Sequence, residues 1–172
     1  TGLVGSAVHP SVSGGFVQSS EYSEWDPSGK YIAACNNGGV AVWRFKDASL
    51  ALLHSQGEPM PSGGRGVSWS PDGRYLYTVA AVAVAGNRIA AYQWNGESLS
   101  APVYPVDQPI NSTISDSSLS SDGKQLVIGL GGSNPGQALY VYDVSGTELT
   151  LAPRPVTTAM NADSVRWTEV PL

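Results

Sequence analysis

Along most of the chain apolar and polar positions alternate in short runs, each cut by Gly, Asn, Asp, Ser or Pro. Residues 138–144 give the clearest case: Leu139, Val141 and Asp143 fall on one side, Tyr140, Tyr142 and Val144 on the other. A period of two marks a β-strand, and apolar side chains on both sides mark a strand covered on both faces. Read this way, strands are predicted at residues 21–25, 31–35, 40–45 and 50–54, then at 66–69, 75–85, 88–94 and 99–104. A further set falls at 113–119, 125–130, 138–144 and 149–152. Asn37-Gly38, Asn95-Gly96 and Ser145-Gly146 separate neighbouring runs and supply the positive φ of tight turns.

These strands repeat in fours. Glu24-Trp25-Asp26-Pro27-Ser28-Gly29-Lys30-Tyr31-Ile32 aligns with Ser68-Trp69-Ser70-Pro71-Asp72-Gly73-Arg74-Tyr75-Leu76 and with Ser118-Leu119-Ser120-Ser121-Asp122-Gly123-Lys124-Gln125-Leu126. Val165-Arg166-Trp167 matches the first part alone. The anchors Trp25, Trp69, Leu119 and Trp167 are spaced by 44, 50 and 48 residues. A second landmark keeps step: Val42-Trp43-Arg44, Ala91-Tyr92-Gln93 and Val141-Tyr142-Asp143 lie 49 and 50 residues apart. Four antiparallel strands at this period are the arithmetic of β-propeller blades. The expected fold is therefore all-β, with three complete four-stranded blades at about 21–55, 66–105 and 113–156 and a partial fourth at 163–172. Residues 1–20 form an N-terminal segment with one candidate closing strand at 2–8. Three and a quarter blades do not close a ring, so the pattern predicts part of a larger propeller. Closure by a second copy or another chain, or by irregular structure, are the alternatives. The lone strand at 163–168 is expected to be ordered only by pairing outside its own blade.

Trp69-Ser70-Pro71-Asp72-Gly73-Arg74-Tyr75-Leu76 resembles the hairpin between the first two strands of WD-repeat and lactonase-like blades. Trp43-Arg44, Tyr92-Gln93 and Tyr142-Asp143 stand where WD repeats place Trp-Asp. The Gly-His pair of WD repeats is absent, which makes the lactonase-like type the nearer match. The resemblance covers roughly residues 21–170, and its motifs specify a fold without an activity.

Composition narrows the function classes. Charged residues make up 13%, about half the roughly 25% of ordinary soluble domains. The net charge is −5, and the nine Lys and Arg residues are scattered, so no basic stripe offers itself to nucleic acid or to an anionic membrane. The longest apolar run, residues 75–85, is far below the roughly 20 residues that span a bilayer. Cys35 is the single cysteine, which excludes an internal disulfide and reads as a small buried hydrophobe.

Catalytic and metal patterns are missing. There is no G-x-S-x-G, no H-E-x-x-H and no Cys/His cluster, and His9 and His54 read as surface histidines. Asp26, Asp72 and Asp122 are spaced like members of a ring, but each falls in a hairpin turn where Asp bonds its own backbone. The stretch from Asp116 to Gly123 superficially suggests a calcium loop and is read as the same turn. Gly131-Gly132-Ser133-Asn134 lacks the Lys of a phosphate loop, and the Asn111-Ser112-Thr113 sequon depends on a compartment that composition leaves open. Trp25, Trp43, Trp69, Trp94 and Trp167 are expected to pack between blades. No cofactor is called for. Recognition is expected on the polar loops that share one face at residues 36–39, 55–65, 86–88, 106–112 and 131–137. The candidates there are Asn36, Asn37, Arg65, Asn87, Arg88, Asp107 and Asn134. These features point away from an enzyme and toward an interaction or assembly module, with a protein partner, further blades or self-association. A lactonase-like hydrolase acting on a sugar lactone and a carbohydrate-binding propeller are the rival expectations.

Overall fold

The computed structural model describes residues 22–36, 39–47, 49–56, 63–84, 86–108, 110, 113–131, 139–153 and 164–167. All regular structure among them is β. The first blade is β1 (Tyr22–Trp25), β2 (Tyr31–Asn36), β3 (Gly39–Lys46) and β4 (Ser49–Gln56), paired antiparallel in chain order. The second holds β5 (Gly64–Trp69), β6 (Tyr75–Val84) and β7 (Asn87–Gln93), and the third holds β8 (Thr113–Leu119), β9 (Gln125–Gly131), β10 (Leu139–Ser145) and β11 (Glu148–Leu151).

Two expectations change. The outer strand predicted at 99–104 is reduced to two bridges, Trp94 to Leu99 and Ala91 to Val103. Pro102 and Pro105 explain it, since neither has an N–H to give to a ladder. Of the strand predicted at 163–168, the described part, 164–167, is not a ladder strand. Residues 164–167 carry no strand pairing, and Val165 is buried. Residues 1–20, including the closing strand at 2–8, lie outside the described residues.

The blades stack around an axis with β1, β5 and β8 innermost, β1 against β5 and β5 against β8. Strand alternation gives each blade a leading face toward the preceding blade and a trailing face toward the next. A cross-strand row from the leading face of the second blade, Trp69–Leu76–Tyr92, packs on Ala33, Cys35, Val40 and Val42 of the first. The equivalent row of the third, Leu119–Leu126–Tyr142–Leu151, packs on Tyr77, Val79, Ile89 and Ala91 of the second. Each large side chain so buried is worth about 1.5–3 kcal/mol. Tyrosines fasten the same interfaces at their polar tips: Tyr77 Oη donates to Gly146 O at 2.7 Å, and Tyr142 Oη to Asp107 O at 3.1 Å.

The first-to-second-strand turns carry one device in two orders. Gly29, Gly73 and Gly123 sit at φ 69°, 69° and 72°, the left-handed region the turn requires. Ahead of each, a hydroxyl meets a carboxylate: Ser28 with Asp26 at 2.5 Å, Ser70 with Asp72 at 2.6 Å, Ser120 with Asp122 at 2.7 Å. Asp26 aligns with Ser70 and Ser120, so the couple is reversed in the first blade. The three acids therefore do not share one turn position, and all three serve the turn backbone.

Candidate functional site

The inner strands enclose a funnel of about 710 Å³ lined by Tyr22–Trp25, Gly66–Trp69, Asp116–Ser121 and Arg166. Four of its polar residues recur at one place in the repeat, immediately before each anchor: Glu24, Ser68, Ser118 and Arg166. Their placement follows from a junction that occurs twice. Trp69 Nε1–H donates to Glu24 O at 3.3 Å, and Trp167 Nε1–H donates to Ser118 O at 2.9 Å. The backbone N–H of the same anchor goes to the side chain of that preceding residue, Trp69 to the Glu24 carboxylate and Trp167 to Ser118 Oγ. Residues 164–167 thus dock on β8 as β5 docks on β1. Between the second and third blades the anchor is Leu119, which has no indole to donate. There Gly66 lies against Ser117, where a Cβ would overlap the Ser117 and Val79 side chains.

Asp116 completes the attachment of the last segment. Buried itself, its carboxylate accepts from Ser164 Oγ at 3.1 Å, Val165 N at 3.1 Å and Arg166 at 2.5 Å. Tyr22 Oη reaches across the funnel to Ser115 O at 2.9 Å. Glu24 is the exception among these engaged groups. Desolvation pushes its carboxyl up to about 7, against the bonds from Trp69 N–H and Ser68 and the charge of Arg166. The residue as a whole is classed as exposed, so it is the carboxyl end that the inner strands desolvate. Chemically the funnel offers one carboxyl that titrates near neutrality, one guanidinium and a ring of hydroxyls. Among the described residues no group of three His, Cys, Asp or Glu is placed to hold a metal ion.

Among the described residues, predicted loop-face positions are brought together in the second blade. Gln108, from the loop after the outer strand, accepts Arg88 N–H at 2.8 Å and Ile89 N–H at 3.1 Å and donates to Asn87 at 3.2 Å. Arg88 turns inward to donate to Ala81 O, and burial lowers the pKa of its guanidinium. Asp107 is exposed, next to a fully exposed Val106. Both line a cavity of about 320 Å³ with Val103, Tyr104, Leu149 and Leu151. Arg65 is half-buried within β5 rather than on a loop. Asn36 ends β2, and its side chain, like Asn37, Asn134, Asn111 and His9, lies outside the described residues.

Sequence reasoning missed the set Glu24, Ser68, Ser118 and Arg166 because each reads as an ordinary polar strand position. The signal was the repeat alignment itself, in which the residue before every anchor is polar. Two tryptophans are corrected. Trp69, Trp94 and Trp43 are buried, but Trp25 and Trp167 are 48% and 39% exposed, because no described blade covers them. His54 is half-buried, not a surface residue, with its Nε2 buried and lacking a hydrogen-bond partner, beside an irregularity in the β3–β4 register.

No protein-family profile and no curated protein sequence matches the chain. Solved structures do. A "putative 6-phosphogluconolactonase" from Bacteroides uniformis superposes with a TM-score of 0.59 at 20% identity, over 76% of this chain and 38% of that one. A protein from Lactobacillus plantarum gives 0.60 at 22% identity, over 77% and 40%. The β-propeller domain of Myceliophteria thermophila Cps50 (Swd1) gives 0.53 at 16% identity, over 79% and 39%. The chain is thus built of propeller blades and spans about two fifths of the structures it resembles.

Proposed function

We propose that the chain is a non-enzymatic interaction module that binds a protein partner on its loop face, beside the cavity between the outer strands of the second and third blades. The observation that carries this reading is Val106. It is a fully exposed apolar residue on a loop that Gln108 and the Tyr142–Asp107 bond hold in place. A loop tied down by hydrogen bonds that offers an apolar tip and a neighbouring carboxylate, Asp107, suits recognition on a rigid scaffold. Asn87, Arg88 and the other loop-face candidates then frame the site rather than form its centre. One of the structures the chain resembles is that of a mitotic checkpoint complex. Cross-linking of the native protein with mass-spectrometric identification tests the reading. The Val106→Asp variant is expected to lose, by about tenfold or more, a partner that wild-type retains. Equal retention by both sinks it.

A second reading rests on Glu24, whose carboxyl titrates near neutrality beside Arg166 in a roomy funnel. A group of that kind suits general acid–base work in a lactone hydrolase. Hydrolysis of a sugar lactone that disappears in Glu24→Gln would favour it over the interaction module.

A further inference from the structure

The cleft beside Val106 lies between the outer parts of two blades that are both described. Its volume is about 320 Å³, and its walls are residues 103–107 of the second blade and 147–151 of the third. Val103 and Val106 are exposed on one wall, and Leu149 and Leu151 line the other. That second wall carries β11, the outermost strand of its sheet, which has no strand on its far side among the described residues. Ala152 N–H donates to Val141 O at 2.9 Å, which marks a bonded pair. Bonded and non-bonded pairs alternate in an antiparallel ladder, so Thr150 and Glu148 turn their N–H and C=O toward β10. Leu149 and Leu151 turn theirs outward, along the cleft. The outer edge of the second blade offers no such row, because Pro102 and Pro105 lack the N–H. Two exposed carboxylates, Asp107 and Glu148, border the cleft, and no described Lys or Arg lines it.

We propose that the protein partner enters here as a short extended segment, which adds a strand to the free edge of β11, sets apolar side chains in the cleft and carries Lys or Arg beside them. This occupant rests on the loop-face reading above, and gives that partner a form and a charge. Strand spacing decides the form. Leu149 and Leu151 offer two sets of donor and acceptor about 7 Å apart, the repeat of a neighbouring strand. A helix has already used its backbone groups internally and cannot answer them. Alternation then sends every second side chain of the added strand to the side where Leu149 and Leu151 stand, into the cleft. Electrostatics decide the charge. Asp107 and Glu148, on a chain of net charge −5, attract a cationic segment and repel an acidic one. The bonds from Gln108 and Tyr142 already fix the loop wall, so the ordering cost of binding falls on the segment.

Panning a displayed library of peptides of about seven residues, an ordinary strand length, on the full chain tests this, with Val106→Asp as the counter-selection. The recovered peptides are expected to alternate apolar residues with Lys or Arg. The tightest of them, once synthesised, should slow amide exchange at Leu149 and Leu151 by about tenfold or more, and at the already paired Thr150 by less. Asp107→Lys combined with Glu148→Lys should weaken its binding by about tenfold or more at low salt. Leu151→Pro removes an N–H that β10 does not use and should weaken it at any salt. The exposed charge-reversal pair carries the test where Leu151→Pro fails to fold. A library that yields no peptide, acidic peptides, indifference to the charge reversal, or binding that leaves both leucine amides unchanged each overturn the proposal. A native partner lost by Val106→Asp but kept by the charge reversal and by Leu151→Pro overturns strand addition while the loop-face reading stands. Retention by every variant defeats both.

Discussion

The Asp26 carboxylate is among the most heavily used polar groups in the fold. It is buried and accepts Ser28 N–H at 3.0 Å, Ser28 Oγ at 2.5 Å, Lys30 N–H at 2.8 Å and Tyr31 N–H at 2.7 Å. Desolvation alone would raise its pKa, but these bonds outweigh it and hold the carboxyl below its ordinary value. Asp26→Ala should cost about 2 kcal/mol or more by denaturant unfolding, because several donors lose a charged acceptor at once. A depressed folded-state pKa stabilises above the unfolded value, so this contribution is lost as pH falls through the folded-state value. Glu24 has the opposite sign. Its raised pKa means the folded state binds the proton more tightly, so between the ordinary value of 4.5 and about 7 its contribution to stability falls as pH rises. Melting wild-type and Glu24→Gln in parallel from pH 5 to 8 should show wild-type losing ground steadily up to about pH 7 and levelling off above it. Parallel curves would refute the shift.

At the scale of elements, the hairpins were legible from sequence and the bent edges were not. Strands β8 and β9 fall within one residue of their expected limits because alternation and the flanking Asp-Gly turn agree. The outer strand of the second blade dissolved into bridges because two prolines inside an apolar run outweigh its β-forming side chains. The funnel was hidden for a different reason. A polar residue at a strand position reads as solvent-facing until the third dimension brings Glu24, Ser68, Ser118 and Arg166 around one axis. The loop face was legible as loops, but nothing in composition says that Gln108 ties them together. Gly66 shows how close the inner strands come. Gly66→Ala should destabilise by about 1–3 kcal/mol through overlap with Ser117 and Val79. Adding Ser117→Gly should recover part of that loss, and a double-mutant cycle without coupling would count against direct contact.

At the scale of the molecule, the last described segment is held by polar bonds more than by a ladder. Asp116 is its main attachment, so Asp116→Asn should speed amide exchange at Val165 and Trp167 while leaving β9 and β10 protected. Unchanged exchange at both amides would mean that burial of Val165 alone suffices. The order of the stack has a mechanical consequence. The second blade alone among the three has both faces covered by described blades, and the two main apolar clusters meet only through it. The outer blades can fray one at a time, each uncovering a single face. The middle one cannot open without baring both clusters together. Among the described strands, β6 of the second blade should therefore be the last amide ladder to exchange.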